Sequence, residues 1–314
     1  MWQIETTHQL PSTTPELDRL VGIVAADGTP AEPLLNDELL VGFRQREGDG
    51  FVAVTAKLDS GGAPLGYAQA LRSSSGFTIG LVVGDSAQPA DVAPLRHLLL
   101  GTLLPAIAEL GGGEVMWWAQ RATAADDDLA NEFQLAPVRT LLEMRSPLPL
   151  EPKIVSAAAP IVTRGFEQGR DDDAWLSVNN RAFAGHHEQG GWTRETLHAR
   201  QAEPWYVDED LLLHEIDGRL AGFCWMKLHP ATLGDEPVGE IYVIGVDPDH
   251  AGLGLGRSLA VAGYGHIARR GARTGLLYVD EDNSRAVRLY ESLGLRVSRR
   301  DVAFVTTVPA RPAI

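Results

Sequence analysis

The sequence predicts a mixed α/β protein made of two domains that repeat one element order. Three observations predict it. The chain has 314 residues, enough for two cores of ordinary size. A proline-rich stretch, Pro147-Leu-Pro-Leu-Glu-Pro152 continuing through Ala157-Ala-Ala-Pro160, interrupts any helix or central strand near the middle. The same succession of strand hairpin, central strand, long helix and further strands reads on both sides of it. The expected boundaries are therefore 1–146 for a first domain, 147–160 for a linker and 161–314 for a second domain.

In the first half, Phe51–Leu58 and Leu65–Leu71 read as strands on either side of Asp59-Ser-Gly-Gly62. Phe77–Val83 is the next strand, Leu95–Leu110 a long apolar helix, Met116–Ala119 a strand and Leu141–Arg145 the closing strand. Trp117 and Trp118 are expected to pin this core. In the second half, Leu211–Ile216 and Leu220–Met226 form a hairpin around Asp217-Gly218, the strongest type of short turn signal. Glu240–Val246 is the central strand, rich in β-branched residues, and Leu276–Val279 is the strand after the following helix. The acid runs Asp126-Asp-Asp128 and Asp171-Asp-Asp173 read as helix N-terminal charges that suit the dipole.

Composition narrows the function. With 27 Lys and Arg against 42 Asp and Glu, the formal net charge is −15, which argues against nucleic acid or anionic lipid as a bulk partner. No stretch is apolar for the length of a bilayer, and no basic-then-apolar leader is read at the start. The single cysteine, Cys224, excludes an internal disulfide framework and suits a reducing cytoplasm. Its alternation within a strand makes it a core residue rather than a nucleophile. His186 and His187 have no third ligand at a recognisable spacing, so no metal is expected. The expected partner is a small molecule and the expected state a monomer.

The most informative stretch is Glu240-Ile-Tyr-Val-Ile-Gly-Val-Asp-Pro-Asp-His-Ala-Gly-Leu-Gly-Leu-Gly-Arg257. A strand ends at Pro248, glycines at 252, 254 and 256 let the backbone curl, and a helix begins. Free amides at a helix start, with the helix dipole behind them, attract phosphate. The spacing matches neither the Walker pattern nor the dinucleotide fingerprint. It resembles the acetyl-CoA loop of the GCN5-related N-acetyltransferases, in which a strand ending V-x-P leads to Q/R-x-x-G-x-G/A and a helix. Gly254 and Gly256 match that loop, and Ala251 stands where Gln or Arg is usual. Leu276-Leu-Tyr-Val-Asp-Glu-Asp-Asn-Ser-Arg-Ala-Val-Arg-Leu-Tyr-Glu-Ser-Leu-Gly-Leu295 is similar to the family's next strand and helix, with Asp282 or Asn283 as its cap and Gly294 as its left-handed end. Val178–Thr193, Cys224-Trp-Met-Lys-Leu-His229 and Gly239–Pro248 are similar to the mycothiol synthases, a tandem branch of that family.

The resemblance implies a fold of two tandem acyl-CoA N-acyltransferase domains, each a mixed central sheet flanked by helices. It implies acetyl-CoA as co-substrate and the cysteinyl amine of a cysteinyl-glucosaminyl-inositol conjugate as acceptor. It implies Glu240 as general base and Tyr290 as the acid for the departing thiolate. Glu240 also reads as an exposed acid at a strand start, and Tyr290 as core packing. Ile244, Gly245 and Val246 would pair with the pantetheine arm. Ala251, Gly252, Leu253, Gly254, Leu255, Gly256 and Arg257 would surround the pyrophosphate, with Asn283 and Arg288 on the next helix. Arg257 reads equally as a solvated helix residue. Glu188, Lys227, Glu240 and Tyr278 match the family's substrate contacts, and His186, His187, Gln189 and Trp192 would line the same pocket. Lys227 also reads as an exposed strand lysine and Glu188 as a loop acid.

The first half lacks these features. Its loop after Val83, Gly84-Asp-Ser-Ala-Gln-Pro-Ala-Asp91, has no G-x-G, adds two acids and loses an amide at Pro89. Phe77 falls opposite Glu240, and no tyrosine near Leu135 answers to Tyr290. The first half is expected to be non-catalytic and to serve as structure or as one wall of the substrate cleft. Two other functions stay open: acetyl transfer to a different amine or a protein N-terminus, and a non-catalytic acetyl-CoA sensor or scaffold.

Overall fold

A computed structural model describes residues 2–8, 15–21, 50–58, 62–72, 76–185, 189–231 and 236–311. The chain divides into two compact units, Met1–Thr140 with Arg300–Ile314, and Leu141–Arg299.

The first unit contains β1 (Gln3–Thr7), α1 (Pro15–Leu20), β2 (Phe51–Lys57), β3 (Pro64–Arg72), β4 (Phe77–Val83), α2 (Pro89–Glu109), β5 (Gly113–Ala119) and α3 (Ala124–Glu132). β1 to β4 pair antiparallel in order, and β4 pairs parallel with β5 at Phe77–Ile79. The helix between parallel strands is the connection such a pair requires. α2 starts with Pro89, whose missing N–H costs nothing in a first turn. It buries Leu95, Leu99, Leu100, Leu103 and Ile107 against the sheet. Trp117 stacks on Phe304 with ring centroids 5.3 Å apart, so it pins this core as expected. Trp118 is half-buried beneath the Arg139 guanidinium.

After α3 come β6 (Ala136–Pro147), α4 (Pro152–Ser156), β7 (Arg164–Gly165), α5 (Asp172–Ala182), α6 (Arg194–Gln201), β8 (Leu211–Ile216), β9 (Arg219–His229), β10 (Val238–Val246), α7 (Leu255–Arg269), β11 (Thr274–Asp280), α8 (Ser284–Ser292) and β12 (Arg296–Val308). In the second unit the strand order is β7-β8-β9-β10-β11-β6. β10 and β11 are parallel, joined by α7, and their other neighbours are antiparallel. Asp217 and Gly218 have φ of 50° and 73°, the left-handed pair that a tight hairpin turn needs. One sheet face carries Met226, Ile241, Leu277 and Val279 and packs on Leu255, Leu259, Tyr264 and Ile267 of α7 and Tyr290 of α8. The opposite face carries Phe223, Trp225 and Val243 and packs on Trp175 and Val178 of α5 and Leu197 of α6.

The expected boundary at 147–160 lies inside the second unit. Leu141–Pro147 pairs antiparallel with β11 over its whole length, with Leu142 and Met144 in the core. The segment after it is anchored too: the Leu148 amide donates to the Arg273 carbonyl at 2.7 Å, and Leu148 and Leu150 are buried. The prolines stop helix and strand, while the leucines between them supply a reason to stay on the core. The closing strand of the first unit comes from the far end of the chain, where Val302–Val308 pairs antiparallel with β5.

The acid runs do more than suit the dipole. Asp126 caps α3 through the Thr123 amide and hydroxyl and pairs with Arg96. Burial pushes its carboxyl up, but the Arg96 and Thr123 hydrogen bonds and the Arg96 charge outweigh this and hold it below the usual aspartate range. Asp172 is buried, accepts from the Gly169 amide and meets His198.

Two outcomes follow from this packing. Met144→Ala in the full chain is expected to cost about 2–5 kcal/mol in urea unfolding, as a fully buried side chain does. A cost near zero would show that β6 adds nothing to the second core. The Asp126 pairing gives stability that is present above the usual aspartate range and lost as pH falls through the lowered folded value. Asp126→Asn is therefore expected to flatten the acid limb of a stability-against-pH curve.

Candidate active site

Glu240 lies on the sheet face opposite Ile241, in direct cross-strand register with Lys227 on β9 and Leu276 on β11. Alternation puts His229, Tyr242 and Tyr278 on the same face. The structure thus brings Glu240, Lys227 and Tyr278 together on neighbouring strands. The Glu240 side chain is 11% exposed, and His229 Nε2 meets its Oε2 at 2.6 Å. Lys227 Nζ sits 4.8 Å from the Trp205 ring centroid and 5.9 Å from that of Tyr242, so its charge is held by aromatic faces rather than loose in solvent. Tyr278 donates to Glu143 Oε2 at 3.2 Å and accepts from Arg299 Nη2 at 3.4 Å. Burial raises its phenol pKa, with Arg299 opposing and Glu143 adding.

Glu188, His186 and His187 lie outside the described residues. Gln189 is tied to α5, its carbonyl accepting from Asn179 Nδ2 at 2.8 Å. Trp192 is not a pocket wall: it is buried against Trp175 and Trp225 at 5.6 and 6.4 Å between centroids. A large apolar ring beside two others gains more from the core than from a wet cleft.

The strand carrying Glu240 opens a second feature. β10 pairs with β11 only from Val238 to Ile241, although both strands run on. A bulge between Ile241 and Val243 turns Val243 onto the Tyr242 face and sends Ile244 and Val246 to the other. From Tyr242 to Val246 the edge towards β11 has no strand partner among the described residues, so the backbone of Ile244, Gly245 and Val246 can pair with an extended ligand arm. A Cβ on Gly245 would fall 2.7 Å from Phe223, which accounts for glycine there.

Beyond the splay, the Asp247 carboxylate accepts from the Asp249 amide at 2.9 Å and pairs with Arg181 at 3.1 Å, fixing the turn. Gly252 and Gly254 have φ of 84° and 76°, and Gly254 caps α7. Among the described residues, chain neighbours aside, nothing lies within 4 Å of a Cβ placed on either. The first helical hydrogen bonds run from the Arg257 and Ser258 amides to the Gly254 carbonyl. The amides of Gly252 to Gly256 precede them and are available to an anion. Ala251 and Leu253 are exposed beside them, Leu255 is buried below, and a Cβ on Gly256 would meet Leu289 at 3.5 Å. An extended strand edge leading to an amide cradle fits the pantetheine and pyrophosphate of acetyl-CoA. Arg257 Nη2 donates to Ser292 Oγ at 2.6 Å, which ties α7 to α8. Asn283 caps α8 by accepting from the Ala286 amide at 3.2 Å, and Arg288 is exposed on that helix.

Tyr290 is buried on α8, and burial keeps its phenol protonated to higher pH than an ordinary tyrosine. Cys224 is fully buried and its thiol is likewise pushed up, so it stays a core thiol. Among the described residues no three metal-ligating side chains converge. No described helix is long and apolar enough to cross a membrane.

Three contributors have little or no signal in the sequence. His229 is two residues from Lys227 in one strand, so alternation alone puts it on the same face. Trp205 and Glu143 lie in segments with no motif, and only tertiary packing brings them in.

The acetyltransferase (GNAT) family model matches residues 174–295. The chain is 38% identical over 302 residues to a mycothiol acetyltransferase of Kocuria rhizophila, covering 91% of this chain and 95% of that one. It is 49% identical over 208 residues to that of Thermomonospora curvata, covering 66% and 68%. Among solved structures, a GCN5-related N-acetyltransferase from Sphaerobacter thermophilus superposes with a TM-score of 0.66 at 22% identity, covering 99% and 97%. A tandem GNAT protein of the clavulanic acid pathway gives 0.63 at 15%, covering 99% and 100%. The latter two show the fold alone; the sequence relatives establish that this chain is an acetyl-CoA-dependent N-acetyltransferase belonging to the mycothiol acetyltransferase family, a tandem branch of the GCN5-related enzymes.

Proposed function

We propose that the chain transfers the acetyl group of acetyl-CoA to the cysteinyl amine of cysteinyl-glucosaminyl-inositol, giving mycothiol and coenzyme A, at one site in the second unit. The observation that carries this is the placement of Glu240. It is a largely buried carboxylate two residues, or about 7 Å of strand, before the point where β10 parts from β11. The base and the opening for the thioester arm thus belong to one strand.

In this reading the amides from Gly252 to Gly256 hold the pyrophosphate, and the free edge at Ile244 to Val246 aligns the arm and polarises the thioester carbonyl. The Glu240 carboxylate takes a proton from the substrate ammonium. The freed amine nitrogen forms the C–N bond as the C–S bond breaks. The Tyr290 hydroxyl gives its proton to the departing sulfur. Attack is direct, because the chain's one thiol is buried and protonated. Lys227, Tyr278 and Glu188 recognise the hydroxyl-rich acceptor. The first unit takes no catalytic part, supported by Pro89 standing where an anion cradle would need an amide. The lone buried thiol supports a cytoplasmic setting.

Coenzyme A release is the direct test, with acetyl-CoA and the full conjugate beside cysteine and glucosamine. Fast release with the conjugate alone supports the reading. No release with it, alongside turnover of another amine, would move the enzyme to that acceptor. Bound acetyl-CoA without any turnover would make the chain a sensor. Glu240→Gln is expected to lower kcat by about 10²–10⁴-fold with the acetyl-CoA KM unchanged. Tyr290→Phe is expected to lower kcat by roughly tenfold or more. Since the Tyr290 phenol is raised above the usual range of about 10, no loss of its acid function is expected below that pH in a kcat profile.

A further inference from the structure

We propose that His229 is the positioning residue of the catalytic base. Its imidazole holds one oxygen of Glu240 so that the other is left to receive the amine proton. The proposal rests on the reading of Glu240 as base and goes beyond it by naming what orients that base.

The geometry is specific. His229 ends β9, and its cross-strand partner is Val238, so it reaches Glu240 on the diagonal. Nε2 and Oε2 are 2.6 Å apart, within direct hydrogen-bond reach. Lys227 is the residue directly opposite Glu240, yet its ammonium is turned onto Trp205 and Tyr242. Among the described residues, His229 is therefore the hydrogen-bonding partner of this carboxylate, and no lysine or arginine pairs with it. The division of exposure also matters. Glu240 is 11% exposed at its side chain and His229 is 39%, so the histidine reaches the base from the open side.

A carboxylate with both oxygens free rotates about its last torsion and spends part of its time misaligned. One with an oxygen pinned presents the other in a fixed direction, which is what proton transfer within hydrogen-bond reach requires. A lysine or arginine pair at this site would instead hold the carboxylate as a salt bridge and compete with the substrate ammonium. A single imidazole N–H orients it without that competition. In the transfer itself, the substrate N–H bond breaks, the free oxygen of Glu240 gains the proton, and the His229 N–H stays where it is.

His229 is half-exposed at the end of its strand, so substitution there is expected to leave the fold intact, and a thermal melt of each variant checks this. Kinetics in the full chain then separate the roles. His229→Leu removes the donor and is expected to lower kcat about tenfold or more while the acetyl-CoA KM stays within about twofold. His229→Gln returns an N–H donor and is expected to recover most of that loss. Adding His229→Leu to Glu240→Gln is expected to change little, because the two act through one group. Wild-type kcat in His229→Leu would overturn the proposal. So would a Gln variant no better than Leu, or a double variant reduced by the full product of the single losses. Wild-type turnover in Glu240→Gln alone would instead overturn the reading of Glu240 as base, so the two failures are distinguishable.

Discussion

The parting of β10 from β11 after Ile241 is the constraint on which the site depends. Parallel strands normally share a full ladder, and leaving it unmade exposes backbone groups that cost free energy unless something pairs with them. Here a bulge at Tyr242 ends the ladder within a buried strand. The edge released by the bulge has backbone groups that an extended co-substrate can pair with. Glu240 sits on the last paired stretch, where two neighbouring strands hold it firmly. The glycine turn and the start of α7 follow directly from the same strand, so one continuous segment carries Glu240, the unpaired strand edge and the amides at the helix start.

The core around this segment is assembled from distant parts of the chain. Leu141–Pro147 completes the second unit's sheet beside β11 and buries Leu142 and Met144. On its polar face it brings Glu143, which takes hydrogen bonds from Ser298 at 2.6 Å, Arg145 at 2.7 Å and Tyr278 at 3.2 Å. Burial raises the Glu143 carboxyl, but the Arg145 and Ser298 hydrogen bonds and the Arg299 and Arg145 charges outweigh it and hold it below the usual glutamate range. The strand therefore has two tasks, one on each face: apolar packing under α7 and α8, and support for the wall that carries Tyr278.

Much of this is legible in the sequence, for local reasons. Asp217-Gly218, the left-handed Gly294 and Gly252 and Gly254 of the α7 turn are each tied to a backbone conformation that few residues adopt, and Asn283 caps α8 with a side-chain oxygen that few residues supply. Their positions follow from residue type alone. Other features have no local signature. Leu141–Arg145 reads as a strand, but alternation does not say which strand it pairs with, so the boundary expected at 147–160 misses its place in the second unit. A bulge at Tyr242 leaves the β-branched pattern of Glu240–Val246 intact. Trp192, in a polar glycine-containing insert, reads as a pocket wall because nothing nearby in sequence shows that Trp175 and Trp225 will cover it. His229 belongs to a recognisable segment, but its partner Glu240 lies on the next strand, and the contact exists only once the register is known.

The central claim is that one anion cradle, at the start of α7, holds acetyl-CoA. Calorimetric titration of acetyl-CoA into the full chain and into Gly254→Asp tests it most directly. Gly254 has open space where a side chain would begin, and its left-handed backbone strains any side chain but aspartate less than most, so the change places a negative charge at the cradle, and a thermal melt of the variant checks that the fold survives the backbone strain. The account predicts one molecule bound per wild-type chain and a loss of that binding in the variant. Two sites per chain, or undiminished binding in the variant, would contradict it.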